Sequence, residues 1–295
     1  MFTIQKTGYP KIKSTKEHII MKKIVSFIIA LALVAICAAA LTSCGKEKLV
    51  VYTEAGFAPF EYIKNGKIVG VDVEIMNLVG KKLGKDIVFE NVAFNTIIDA
   101  VSSGKLCNVG AAGISITDER KEKVDFSSEY YTANLYVIYK ASEKAYFENT
   151  TTDGVTGVYW EKFAGKNIAV QDGTTADLFV SDEIGEDWGV LHGTNASKTG
   201  FSELATALAD VGVNCDVLII DELPAQMLIK GKSQYACAPL YYMGGEGEED
   251  SAACDVYAIC VTPGQTELLK AINEVIDELG KDGIQELVNK HLGIK

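Results

Sequence analysis

The sequence predicts an α/β fold with parallel sheets, divided into two domains. Three observations carry this. Between Leu49 and Ala112, short apolar runs alternate with amphipathic helical segments in βαβαβ order. The same alternation restarts at Ile168, after an irregular polar stretch from Lys140 to Lys162. A chain of 295 residues is also about twice an ordinary domain in length.

The elements follow in order. Leu49-Val50-Val51-Tyr52-Thr53 reads as a buried strand, and Glu54–Phe60 as the loop at its end. Glu61–Ile63 and Ile68–Gly70 flank Lys64-Asn65-Gly66-Lys67, the signature of a hairpin with an Asn-Gly turn. Asp72–Leu83 has apolar residues at Val73, Met76, Val79 and Leu83, a helix stopped by Gly84. Ile87–Glu90 is a strand, Asn95–Ser103 a helix ended by Gly104, and Val109–Ala112 a third strand. An extended segment covers Asn134–Tyr139, and 140–162 reads as a surface excursion.

In the second half, Ile168-Ala169-Val170 is a strand, followed by Gln171-Asp172-Gly173-Thr174-Thr175 and a helix from Ala176. Ser202 stands as the cap of a helix with Leu204, Leu208 and Val211 on one face. Val217–Ile220 is a buried strand with Asp221 at its carboxyl end, either an N-cap or a ligand group. Val256–Thr262 is the last strand, and Glu267–Leu279 and Gly283–Leu292 are closing helices.

One stretch bears chemistry, Gly113-Ile114-Ser115-Ile116-Thr117-Asp118-Glu119-Arg120. Arg120 is the sole Arg among 28 basic residues. Its planar fork grips a carboxylate with two parallel hydrogen bonds, which Lys does not offer. Thr117 reads as an N-cap, and a cation in the first turn runs against the helix dipole, a broken local rule of the kind that marks function. With Ser115, Thr117 and backbone N–H groups near Gly113, the stretch reads as a carboxylate clamp. In a parallel sheet, binding loops lie at the carboxyl ends of the strands, where Glu54, Phe57, Phe94 and this stretch all fall. The Gly173-Thr174-Thr175 turn between strand and helix can present donors to an anion, although ordinary loop chemistry explains it equally well.

Residues 1–43 read as an upstream extension and a lipoprotein signal peptide. Met21-Lys22-Lys23 precedes an apolar run from Ile24 to Leu41, and Leu41-Thr42-Ser43-Cys44 resembles a lipobox that would make Cys44 the lipidated first residue. A transmembrane anchor is the competing reading of the apolar run. Met21 fits a signal peptide's start better than Met1. Removing residues 1–43, with their six Lys and one Glu, moves the formal net charge from −12 to −17. Such a surface repels nucleic acid and anionic lipid, and suits an extracytoplasmic protein held by a lipid on the cell membrane, in the periplasm or on the outer face. Cys107, Cys215, Cys237, Cys254 and Cys260 then remain, an odd number without a C-x-x-C. They read as buried thiols, with a Cys237–Cys254 disulfide as the alternative. The three His form no spaced cluster, so no metal site and no cofactor are expected.

From about Leu49 to Gly293 the chain resembles the extracytoplasmic solute-binding proteins of family 3, which serve ABC importers of polar amino acids. The motifs are Ala58-Pro59-Phe60-Glu61, Gly70-Val71-Asp72-Val73, the 113–120 stretch, Asp125-Phe126-Ser127 with Tyr130-Tyr131, Gly173-Thr174-Thr175, Asp221 and Lys281-Asp282-Gly283. The resemblance implies a type II periplasmic-binding-protein fold, two α/β lobes joined by a two-segment hinge that closes on an amino acid for delivery to an ABC permease. Lobe 1 would be residues 47–138 with 256–295, and lobe 2 residues 139–255. By the same resemblance Arg120, helped by Ser115 and Gly113, would bind the ligand's α-carboxylate. Thr174 and Thr175 would close on it from lobe 2. Asp221 would take the α-ammonium, and Phe57 and Phe94 the side chain. Glu54 stands where the family usually has Asp, and Gln171 where some members carry a Lys, both at the side-chain end. The aromatic pair, without a second obvious cleft acid, points to a neutral polar or hydrophobic side chain. The expected protein is a non-enzymatic, monomeric receptor. The alternative on the same fold is a cyclohexadienyl-dehydratase-like enzyme, which needs a protonated cleft acid such as Glu54 or Glu222.

Overall fold

The computed structural model describes residues 46–245 and 247–294; the signal-peptide reading and Cys44 lie outside them. Two α/β layers are built on separate sheets. In the first, the apolar strand Lys48–Thr53 is central, paired in parallel with Asp86–Asn91 on one side and Val109–Gly110 on the other. Cys260–Val261 then pairs antiparallel with Val109–Gly110 and with Asp125–Phe126. The helix Val71–Leu83 buries Ile75, Met76 and Val79 against this sheet and against Ile272 and Val275 of the last helix. Gly84 ends it in the left-handed conformation. The Asn-Gly hairpin forms as expected, joining Glu61–Lys64 to Lys67–Val69 with positive φ at both turn residues.

The second sheet runs from Ser197–Phe201 through Asn167–Gln171, Val217–Asp221, Tyr131–Lys140 and Tyr235–Tyr242 to Thr156–Tyr159 and Glu148–Thr150. The stretch 140–162 is therefore not a surface excursion. It contributes two strands, and Phe147, Trp160 and Phe163 are fully buried in the core beside Leu135, Val137 and Leu240. Its polar residues mask three aromatic anchors whose burial dominates.

Two crossing segments link the sheets. Tyr131–Lys140 pairs at its start with Cys254–Tyr257, in the register Tyr131↔Tyr257 to Asn134↔Cys254. The expected single strand over 256–262 is two strands in different sheets, Cys254–Tyr257 and Cys260–Val261, because the chain passes from hinge to first sheet at Ala258 and Ile259. The two closing helices are merged as Thr266–Leu292, broken at Gly280, whose φ of 58° is non-helical. Ser202 does not cap the helix Leu204–Asp210; Glu203 occupies the cap position. All five described cysteines are free. Cys254 and Cys237 pair with Asn134 and Ile138 of the same strand. That separates them by roughly 13 Å at strand spacing, beyond the reach of a disulfide.

Candidate functional site

Strand ends bring the chemistry together. Glu54 and Phe57 follow the central strand of the first sheet, Phe94 follows Asp86–Asn91, and Gly113 and Ser115 follow Val109–Gly110. From the second sheet, Gln171, Thr174 and Thr175 follow Asn167–Gln171, and Asp221 ends Val217–Asp221. These nine residues line one narrow cleft between the sheets. Arg120 stands behind them, buried, with its guanidinium carbon 5.6 Å from the centre of the Phe94 ring. A more spacious groove lies between Glu129–Thr132 and the last helix near Gly280, and no clamp residue lines it.

The clamp is built by its own turn. Thr117 caps the helix Asp118–Lys121, its hydroxyl accepting from the Arg120 N–H at 3.1 Å. The guanidinium then folds back. Nη1 donates to Ser115 O at 2.6 Å and Nη2 donates across the cleft to Gly173 O at 2.8 Å. Burial lowers the Arg120 pKa, and the charge of Asp255 is the leading influence opposing it. Gly113 has φ 55°, and a Cβ there would stand 2.8 Å from the Phe57 ring, so the position requires Gly. Its N–H is not free as the sequence suggests; it donates to Asp72 Oδ2 at 2.9 Å. Asp72 also accepts from the Tyr130 hydroxyl at 2.6 Å.

The opposite turn is similar. Thr174 caps the helix Thr175–Gly185 and Gly173 has φ 77°. The Gly173 N–H is likewise taken, by Asp177 Oδ2 at 2.9 Å. Thr174 Oγ1 already donates to Gln171 O at 2.8 Å. Thr175 Oγ1 lies 3.2 Å from Ser115 Oγ, joining the two sides. Gln171 Nε2 donates to Ser202 O at 3.3 Å.

Asp221 occupies an N-cap position without making a side-chain cap bond. Its Oδ1 is buried with no partner among the described residues, which favours the ligand-group reading over the cap. Burial first, and the nearby Asp255 charge second, push its pKa up to about 7. Tyr257 and Arg120 oppose the shift, although the Tyr257 hydroxyl closes no hydrogen bond of ordinary length. Glu54 is also raised, mainly by burial and against the pull of Gln171 and the Gly56 N–H, and its Oε2 has no partner.

Asp255 escaped the sequence reading, and Glu61 and Asp72 entered it only as motif residues, not as site residues. Asp255, on the hinge strand, accepts from Ser115 Oγ at 3.3 Å. Behind the clamp, Glu61 and Asp72 are both fully buried side by side. Burial and the Asp72 charge drive the Glu61 pKa well up, and burial raises Asp72 to about 6. Glu54, Asp221 and Asp255 put three carboxyl groups around the cleft against one guanidinium, and the third arrives from a strand 34 residues beyond Asp221. An acid at alternate spacing to Tyr257 in an otherwise apolar strand is the signal that could have flagged Asp255.

A family model described as bacterial extracellular solute-binding proteins, family 3, matches residues 49–294. The chain is 28% identical over 271 residues to the arginine-binding extracellular protein ArtP of Bacillus subtilis, covering 88% of this chain and 95% of that protein. It is 33% identical over 244 residues to a probable histidine-binding protein of Campylobacter jejuni, covering 82% and 83%. Among solved structures, the substrate-binding protein AbpA of Streptococcus pneumoniae bound to L-arginine matches with TM-score 0.69 at 25% identity, over 83% of this chain and 94% of that one. An ancestral arginine-binding protein bound to glutamine matches with TM-score 0.67 at 28% identity, over 85% and 100%.

Proposed function

The chain belongs to the bacterial extracellular solute-binding proteins of family 3, and from that premise we propose that it receives an amino acid with a cationic side chain, L-arginine foremost, for an ABC importer. The observation that carries this reading is Glu54, a buried carboxyl with an unpartnered oxygen in a cleft walled by Phe57 and Phe94. A guanidinium or ammonium placed there gains an ion pair and aromatic faces at once. At the other end Arg120, Ser115 and Thr175 take the α-carboxylate, with Gly113 and Thr174 shaping the two turns, and Asp221 takes the α-ammonium. Gln171 orients Glu54. Relatives of the chain that bind arginine or histidine by name support the class.

Ligand would bridge two lobes, residues 47–138 with 256–295 and residues 139–255. The paired segments Tyr131–Asn134 and Cys254–Tyr257 supply the hinge, and ligand contacts favour closure. For the enzyme alternative Glu222 drops out, since it accepts from Tyr136 and Gln226 and does not line the cleft, while Glu54 does line it; the binding-protein relatives favour the receptor. A lipid on Cys44 would hold the receptor at the membrane as a monomer. Fatty-acid labelling that survives Cys44→Ser would remove that anchor. Calorimetry with L-arginine, L-lysine, L-histidine, L-glutamine and L-cystine tests the ligand class. L-Arginine should bind tightest, at micromolar dissociation constant or better, about −8 kcal/mol. Tighter binding of glutamine would overturn the cationic class, and heat from none of them would overturn the amino-acid reading.

A further inference from the structure

Asp255 sits where the hinge meets both sides of the cleft. The bridge Ser115↔Tyr257 and the bond from Ile116 N–H to Val256 O, 3.1 Å, lay its strand along the clamp. Ser115 Oγ donates to Asp255 Oδ2, and the Thr175 hydroxyl lies 3.2 Å from Ser115 Oγ, so a relay of hydroxyls runs from Thr175 through Ser115 to Asp255. Burial raises the Asp255 pKa, and the Thr175 hydroxyl, the Arg120 charge and the Ser115 hydroxyl pull against that rise by favouring the carboxylate. Among the described residues no Lys, Arg or His forms an ion pair with Asp255 within 4.0 Å. A carboxylate belonging to the protein thus rests on the donor set read above as the cradle of the ligand's α-carboxylate.

We infer that Asp255 is an affinity-setting residue of the binding site: its carboxylate takes the Ser115–Thr175 hydroxyls and the field of Arg120 when no ligand bridges the lobes, and the ligand's α-carboxylate must displace it. This inference rests on the placement of the α-carboxylate at Arg120, Ser115 and Thr175. Two consequences follow. The internal carboxylate competes with ligand and so weakens binding. Its relay also ties Thr175 of one side to Ser115 of the other, so it favours the closed form before ligand arrives. The competition keeps release possible once the receptor has closed.

The test compares wild type with Asp255→Asn, which keeps the shape and removes the charge, and with Asp255→Ser should the amide fold poorly. Calorimetry with L-arginine should show binding tightened about five- to tenfold, as expected where a like charge beside a buried carboxylate is removed. Agmatine, the same cation without the α-carboxylate, should gain no affinity. Small-angle scattering of the ligand-free variant should give a larger radius of gyration than ligand-free wild type, with the arginine-bound forms equal. Unchanged or weaker L-arginine binding, or equal tightening of both probes, overturns the inference. If wild type binds no amino acid, the ligand reading fails instead, and the ligand-free scattering still decides the inference: equal radii overturn the relay.

Discussion

Two turns facing each other across the cleft share the main parts of a plan and differ in the residue three places after the cap. Each has a strand, a glycine at positive φ, a Thr cap and a helix, with Gly113 four residues before its cap and Gly173 one before. Thr117 accepts from the N–H of residue 120, and Thr174 from the N–H of residue 177, so Arg120 and Asp177 stand at equivalent places in their helices. Asp177 behaves as an acid should there, reaching back to the Gly173 N–H and pairing outward with Lys198. Arg120 cannot accept. It donates back to Ser115 O, and the Gly113 N–H is satisfied from a distance by Asp72. The second turn is thus locally self-sufficient, while the first needs a buried acid from another helix. The turn with a cation at that place is the one that holds a buried, fixed positive charge.

The largest effect that would break this comparison is expected at Arg120. Removing one member of a buried, hydrogen-bonded charge pair costs roughly 2–5 kcal/mol, so Arg120→Ala should weaken L-arginine binding by about thirty- to several-thousandfold. Arg120→Lys should still lose about tenfold or more, because a point charge does not replace the fork. Calorimetry decides; affinity within threefold of wild type would make Arg120 structural.

Asp221→Asn comes next, at about thirty- to a hundredfold, in the lower range for such a pair. It has a second readout. With its pKa raised to about 7, Asp221 is partly protonated near neutrality, and an α-ammonium should restore an ordinary carboxylate. Binding at pH 7 should release a fraction of a proton, seen as heats that vary with buffer ionisation enthalpy, and affinity should fall as pH drops below about 7. Asp221→Asn should abolish the release.

Arg120 was visible in the sequence because it violates two local regularities, the Lys bias of the chain and the charge preference of a helix start. The βαβ strands and the Asn-Gly hairpin were visible because their signals are local. Asp255 was not, because its partners come through the pairing of Cys254–Tyr257 with distant segments, which no window of sequence contains. Phe147, Trp160 and Phe163 were hidden for a related reason: the surrounding polar residues set the average, while three aromatic anchors set the fold. Asp221 was seen but ambiguous, and its unmade cap bond removes one of the two readings.

A smaller effect sharpens the comparison directly. Asp72→Asn loses one of two acceptors used by Gly113 and Tyr130, and leaves a buried donor poorly matched, a cost of about 1–3 kcal/mol. With the clamp turn loosened, L-arginine affinity should fall about tenfold, within the range that cost allows. Asp177→Asn keeps an oxygen for the Gly173 N–H and loses mainly the charge pairing with Lys198, so its effect should be about threefold or less. Equal losses at the two positions would mean that the two turns are supported alike after all.

The smallest effect is a slope in stability. Carboxyls of the unfolded chain titrate near about 4. In the folded chain Asp72 is raised to about 6, Asp221 to about 7, and Glu54 and Glu61 are also raised, all chiefly by burial. Between about pH 4 and 7 the native state therefore holds more protons than the unfolded state, and stability falls as pH rises through that window. The surface acids run the other way. Glu74, Glu274, Asp153 and Asp250 are lowered by their partners, so their contribution is lost as pH falls below about 4. Thermal melts of ligand-free protein should show a midpoint several degrees higher near pH 5.5 than near pH 8, on the scale of 1 kcal/mol or so for a domain of this size. Saturating L-arginine should flatten that slope, because Asp221 then meets an ammonium in the folded state. A melting temperature that climbs from pH 5.5 to pH 8 would mean that the buried acids on both sides of the cleft are ionised and paired in the folded chain.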